Sequence, residues 1–85
     1  MTIQEYEEKL LQLIDDGIDT ATDDELFAGG YLRGHISLAA AECELENESQ
    51  LSAMKEKVGQ SIADAKSELS PSDYGFICNY WNQLK

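Results

Sequence analysis

The segment Asp23–Glu46, DDELFAGGYLRGHISLAAAECELE, decides the fold of this chain, because it reads as one long helix with apolar residues on two opposite sides. At about 100° per residue, one side carries Phe27, Tyr31, Gly34, Leu38, Ala41 and Leu45. The nearly opposite side carries Leu32, Ile36, Ala39, Ala40 and Cys43. A helix that only covers a core needs one apolar stripe. We therefore expect other helices to enclose this one on both sides.

Local signals define where this central helix begins and where it is weak. Thr22 and Glu25 have the spacing of a capping box, which predicts a helix over about residues 22–47. Gly29 and Gly30 interrupt it, and each glycine costs about 1 kcal/mol relative to alanine inside a helix. We therefore predict a kink or short break at this glycine pair.

A first helix precedes the central one. Thr2 and Glu5 repeat the capping-box spacing. Apolar residues then recur at helical intervals: Ile3, Tyr6, Leu10, Leu13, Ile14 and Ile18. The pattern predicts an amphipathic helix that ends near Ala21.

Two more helices follow. The third is predicted to start at Asn47 or Ser49, and its apolar stripe comprises Leu51, Met54, Val58, Ile62, Ala65 and Leu69. The fourth is predicted to start at Ser70, because serine suits the N-cap and Pro71 suits the first helical position. Its inner stripe comprises Tyr74, Ile77, Cys78, Trp81 and Leu84.

Nothing in the chain predicts a β-strand, since no segment alternates apolar and polar residues over a sustained run. Eighty-five residues make one domain, and no repeat or linker divides them. We therefore predict an all-α fold over residues 1–85. Its architecture is a small antiparallel bundle of four helices around the two-faced central helix.

The charge of the chain excludes some partners. It has 17 acidic and 6 basic residues, a net charge of −11. The basic residues are scattered: Lys9, Arg33, Lys55, Lys57, Lys66 and Lys85. Because binding to phosphates needs clustered lysine and arginine, we expect neither nucleic acid nor an anionic membrane as a partner. A basic protein surface, a cation or no charged partner at all remains open.

The sequence also predicts a cytoplasmic protein. Its first residues, MTIQEYEE, lack the basic region and apolar run of a secretory signal. No apolar stretch approaches the ~20 residues that span a bilayer. Cys43 and Cys78 fall at apolar helical positions, so we interpret both as reduced core residues. Whether they are close enough to form a disulfide does not follow from the sequence.

Tyr31, Arg33 and His35 are the candidate ligand-binding residues. His35, the only histidine, shares a polar strip with Glu42 and Glu46 that could bind a divalent metal or move a proton. The competing interpretation is that His35 bonds a carboxylate or a carbonyl and only packs.

Arg33 is the only arginine, and it has two interpretations as well. It could form an anion site with Tyr31 and Ser37, because a guanidinium pairs well with carboxylates and phosphates. We favour an internal ion pair, with Asp23, Asp24 or an acid of the first helix.

No pattern indicates catalysis or a bound cofactor. The chain has one histidine and no Glu-x-x-His pair, so the di-iron bundle pattern is absent. Ser37 lies two residues from His35 and faces another way on a helix. The acids of the turn between the first two helices lack EF-hand spacing and are interpreted as a solvated face. We therefore predict no catalytic residue, no metal ligand, no cofactor and no enzymatic activity.

Phe76 and Tyr80 are the candidate partner-binding residues. They lie four apart, on the side of the fourth helix away from its inner stripe. Exposed aromatic residues are enriched at protein interfaces. The alternative is that they pack against the first helix or the amino terminus.

Two functions remain after these exclusions. The first is a non-catalytic protein-interaction module that is a monomer or a weak homodimer, with an unidentified protein partner. The alternative is a site for a small ligand, an anion or a divalent metal around Arg33 and His35.

The run from Asp23 to His35, DDELFAGGYLRGH, resembles the signature of the bacterial YfcL family. Leu69, Ser70, Pro71, Asp73 and Trp81 also fall where that family has similar residues. The resemblance covers nearly the whole chain and implies a small cytoplasmic protein of gammaproteobacterial type. It implies no function, because the family has no assigned activity and no assigned catalytic residues.

Overall fold

The computed structural model describes residues 1–85 and contains four α-helices and no strand. The helices are α1 (Ile3–Asp16), α2 (Asp23–Leu45), α3 (Leu51–Asp64) and α4 (Pro71–Leu84). Short 3₁₀ turns, Ile18–Thr20 and Lys66–Glu68, follow α1 and α3. The all-α prediction is confirmed. None of these helices combines the length and the apolar character that crossing a membrane requires.

The predicted helix starts are confirmed for three of the four helices. Thr2 and Thr22 each form a complete capping box, with Glu5 and Glu25 respectively. The Ser70 side chain accepts a hydrogen bond from the Asp73 N–H at the start of α4. These bonds satisfy backbone donors that the first turn of a helix leaves free.

The start of α3 differs from the prediction. It begins at Leu51 with Gln50 at the N-cap, rather than at Asn47 or Ser49. Asn47 instead terminates α2 in a left-handed conformation, with φ of 56°. The Glu48 N–H then donates to the Cys43 carbonyl at 2.8 Å, which is the bond that closes a Schellman motif.

The end of α1 is also earlier than predicted. The helix stops at Asp16 rather than near Ala21, and Gly17 caps it through an N–H bond to the Ile14 carbonyl. The following 3₁₀ turn rotates Ile18 off the inner stripe and leaves it half exposed. The apolar periodicity of α1 therefore includes Ile18, which lies beyond the buried part of the helix.

The glycine pair does not interrupt α2, which continues through Gly29 and Gly30 without a break. A Cβ atom built on Gly29 would lie 3.0 Å from Cγ2 of Ile14, whereas one on Gly30 would meet nothing within 4 Å. Gly29 therefore permits the close approach of α1. Of the predicted kink or short break, the break is absent, because packing compensates for the poor helix propensity of the pair.

The helix α2 is central, as predicted, since α1, α3 and α4 all pack against it and barely touch one another. Side-chain hydrogen bonds join Gln4 of α1 to Glu44 of α2 and Asp15 of α1 to Arg33 of α2, so these two helices are antiparallel. Buried residues from all four helices form one core. Its fully buried side chains are Leu10, Leu32, Ile36, Met54, Ile62, Ile77, Val58 and Cys43.

The expectation that α2 is enclosed on both faces is wrong for one face. Leu32, Ile36 and Cys43 are fully buried, but Leu38 is 52% exposed and Leu45 is 85% exposed. The three neighbouring helices all cover the same side, and a chain of 85 residues has no fifth helix for the other. We call the residues on that other side, Phe27, Tyr31, Gly34, Leu38, Ala41 and Leu45, the outer stripe; Tyr31 is half-buried and the other five are exposed.

Candidate functional site

Arg33 forms an ion pair with Asp15 of α1, which is the first-helix acid that the sequence analysis favoured as one of its partners. Both side chains are nearly half exposed, so the pair contributes at most about 1 kcal/mol to stability. Its bond orients the guanidinium towards α1. The charge that an anionic ligand would need is therefore already paired.

The His35 side chain links α2 to α3. Its Nδ1 atom lies within hydrogen-bond distance of the Ser61 hydroxyl, and its ring contacts that of Tyr31 at a tilt of 36°, with centroids 4.6 Å apart. Tyr31 in turn lies 6.0 Å from the ring of Phe27. The rings of His35, Tyr31 and Phe27 thus form a row along one edge of the outer stripe.

The structure does not bring the three candidate ligand-binding residues into one site. Arg33 pairs with α1, whereas His35 lies within hydrogen-bond distance of Ser61 on α3 and Tyr31 contacts the His35 ring. The two carboxylates expected near His35, Glu42 and Glu46, both lie within 4 Å of the Lys57 ammonium, at 3.7 and 2.8 Å. No group of three or more histidine, cysteine and acidic side chains is arranged to hold a metal ion.

The environment of His35 predicts a pH dependence of stability. Burial lowers the pKa of this imidazole below 6.5, and the negative charge of Glu68 opposes the effect more weakly. As the pH falls below about 6.5, the unfolded chain therefore binds the proton more readily than the folded chain, and the free energy of unfolding decreases.

We expect the melting temperature to fall between about pH 7 and about pH 5.5, above the range in which most carboxylates titrate. The variant His35→Gln keeps a polar group beside Ser61 but cannot titrate, so its melting temperature should change less over this interval. Thermal unfolding followed by circular dichroism at both pH values provides the measurement. An equal loss in the two proteins would assign the effect to other groups.

Phe76 and Tyr80 are less accessible than the sequence analysis expected. Both are half-buried and pack against the core. The Tyr80 hydroxyl lies 3.6 Å from a Cβ built on Gly29, and burial together with the charge of Glu25 raises its pKa. Their role in binding a partner stays a prediction, but the structure offers a larger apolar surface elsewhere.

That larger surface is the outer stripe of α2. Its six residues follow one another at intervals of 4, 3, 4, 3 and 4, the spacing of the positions that meet a partner in a coiled coil. Large side chains, Tyr31, Leu38 and Leu45, alternate with the small residues Gly34 and Ala41. The stripe extends over about 27 Å, at 1.5 Å per residue.

Charge is distributed unevenly along this surface. Residues 26–41 contain no acidic side chain, and the one arginine among them is paired with α1. Acids cluster at both ends of the helix: Asp23, Asp24 and Glu25 at its start, and Glu42, Glu44 and Glu46 at its end. The exposed surface of α2 therefore has an apolar middle between two acidic ends.

The fold and this surface define a small, acidic, all-α protein with one unpartnered helix face. The chain matches the YfcL protein family over residues 4–85, and it belongs to that family. It is 45% identical over 84 residues to the uncharacterised protein YfcL of Escherichia coli (strain K12), an alignment that covers 96% of this chain and 91% of the relative. No solved structure matches the chain.

The outer stripe residues are recognisable in the sequence as an apolar face, but they were expected to be enclosed by other helices. The distribution of acids indicates that this face is exposed. Asp24 and Glu42 lie beside the stripe, and both ends of the stripe are charged. Charged residues are rare at the margins of a helix that is enclosed on all sides.

Proposed function

We propose that the protein is a non-catalytic, cytoplasmic protein-interaction module whose outer stripe binds the apolar face of a basic amphipathic helix from another protein. The observation that carries this proposal is the heptad spacing of six residues, five of them exposed and Tyr31 half-buried, on a helix whose opposite face already fills the core. Two unpaired cysteines support the cytoplasmic location, since thiols stay reduced there.

The size pattern of the stripe favours a helix as the occupant. In helix packing, large side chains insert between residues of the facing helix. Gly34 and Ala41, which carry no side chain or a single methyl group, separate Tyr31, Leu38 and Leu45, so that a partner's side chains can insert between them. Recognition of an amphipathic helix in an apolar groove uses the same i, i+3, i+4, i+7 contacts.

The charge pattern favours a basic partner. The stripe residues carry no charge that would have to be desolvated, while the acidic ends would attract lysine and arginine at the ends of the partner helix. Lys57 neutralises only part of the carboxylate charge near Glu42 and Glu46. A second copy of this chain fits less well, because it would bring the same acids close together in either orientation.

The alternative function, a ligand site at Arg33 and His35, has no comparable support. These side chains are directed at different helices and are engaged by Asp15 and Ser61. Phe76 and Tyr80, the other predicted partner-binding residues, are less exposed than Leu38 and Leu45.

A synthetic helix tests the proposal. The probe is a fluorescent peptide with leucine at the heptad contact positions and lysine elsewhere, and the matched peptide has glutamate in place of lysine. We expect the basic peptide to bind the protein in fluorescence anisotropy, less tightly at high salt. The acidic peptide should not bind.

Two variants locate the binding surface. Leu38→Glu places a charge in the middle of the stripe and should weaken binding by about tenfold or more. Leu13→Glu is the matched control, because Leu13 is an exposed leucine of α1, at 43% exposure, and its variant should bind normally. Unchanged binding by Leu38→Glu would refute the proposed surface. Self-association that Leu38→Glu abolishes would make a second copy the occupant instead.

A further inference from the structure

A groove of about 380 Å³ lies between α3 and α4, away from the outer stripe. These two helices are consecutive in the chain, but they barely touch each other because both pack against α2. Ile62 and Trp81, which are almost fully buried, contribute to the apolar lining of the groove, together with Tyr74 and Cys78. Its volume falls at the lower end of the range of small-molecule sites.

The charged residues that line the groove are mainly basic, whereas those of the whole protein are mainly acidic. The chain has 17 acidic and 6 basic residues, but the groove is lined by Lys55 and Lys85 against one acid, Glu56. Lys66 lies beside it, with its ammonium 5.5 Å from the ring centre of Tyr74. Two of the six basic residues thus line one apolar groove, and a third contacts Tyr74 in its lining, on a molecule that otherwise repels anions.

The lysine at the α3 side of the groove has an aromatic neighbour. The Lys55 ammonium lies 5.5 Å from the ring centre of Tyr6, a cation–π contact that restricts its position. No acidic side chain forms a salt bridge with either groove lysine. Neither ammonium group is therefore neutralised by a carboxylate of the protein.

We propose that this groove binds a small amphipathic carboxylate. The apolar body would lie against Ile62, Tyr74 and Trp81, and the carboxylate would pair with Lys55 and Lys85. Apolar burial and charge pairing are both needed, because an exposed ion pair alone contributes little. The site is separate from the proposed function, since it shares no residue with the outer stripe.

Trp81 is the only tryptophan of the chain, so its fluorescence reports directly on the groove. We expect octanoate, below its micelle-forming concentration, to change the emission in a saturable manner. Two matched probes separate the contributions: acetate has the charge without the apolar body, and octylammonium has the apolar body with the opposite charge. Neither should give a saturable change.

Variants assign the effect to the lysines. Replacing both groove lysines, Lys55→Gln with Lys85→Gln, should weaken octanoate binding by about tenfold. The control Lys9→Gln removes a lysine of α1 that does not line the groove, and it should bind octanoate normally.

Cysteine labelling supplies an independent readout. Cys78 lines the groove, whereas Cys43 is fully buried, so a maleimide should react with Cys78 first. Octanoate should slow this reaction, and Cys78→Ser should abolish it. Equal binding of octanoate and octylammonium, or octanoate binding that survives loss of both lysines, would overturn the proposal. Neither result would affect the peptide experiment on Leu38.

Discussion

Replacing Leu32 by alanine should lower the free energy of unfolding by about 3 kcal/mol, whereas the same change at Leu38 should alter it by less than about 0.5 kcal/mol. Both leucines lie on α2, and they differ in which face they occupy. Leu32 is fully buried among the other helices, so its truncation leaves a cavity. Leu38 is 52% exposed, and alanine has at least the helix propensity of leucine.

Chemical denaturation at one temperature measures both changes. A domain of this size has little stability to spare, so a loss of about 3 kcal/mol should shift the denaturation midpoint strongly. A large loss for Leu38→Ala would show that the outer stripe is enclosed in the folded protein, contrary to the structure. A small loss for Leu32→Ala would contradict the assignment of the core face.

Replacing Gly29 by alanine should destabilise the protein, and replacing Gly30 should stabilise it. Alanine gains about 1 kcal/mol over glycine in a helix interior at either position. At Gly29 the new methyl group would press on Ile14, and overpacking of this kind costs about 1–3 kcal/mol. At Gly30 the methyl group meets nothing within 4 Å. We expect the two variants to differ by about 2 kcal/mol.

Because the two glycines are adjacent on one helix, each variant serves as the control for the other. Thermal or chemical denaturation gives the two free energies of unfolding. The double variant Gly29→Ala with Ile14→Leu should recover part of the loss, since leucine lacks the Cγ2 methyl group that the new Cβ atom would meet. Equal stabilisation by both single variants would show that α1 moves away at little cost.

Local signals in the sequence were sufficient to predict the helices and most of the core. Capping residues such as Thr22 and Ser70 satisfy the first turn whatever the tertiary structure, so their positions were predictable. The start of α3 was not, because Asn47 suits both an N-cap and a left-handed helix end.

The burial of α2 could not be derived from periodicity alone. An apolar stripe shows that a face avoids water, but it does not show whether the chain itself or another molecule covers it. The stripe with Leu32 and the stripe with Leu38 have similar apolar spacing. Only the number and placement of the other helices decide which one is covered.

The candidate sites depend even more on tertiary structure. Arg33 and His35 are two residues apart in the sequence, but they point to different neighbouring helices. Conversely, Lys55 and Lys85 are distant in the sequence and line one groove. Such a pair cannot be found from spacing, because the packing of α3 and α4 on α2 brings it together.

The central position of α2 has a consequence for how this chain acquires its structure. Since α1, α3 and α4 barely touch one another, no pair of them has an interface that could persist alone. During synthesis, no stable packing between helices can therefore form until α2 has left the ribosome. A fragment that lacks this helix should be digested by proteases. Folding and degradation of the protein are in this sense decided by one helix.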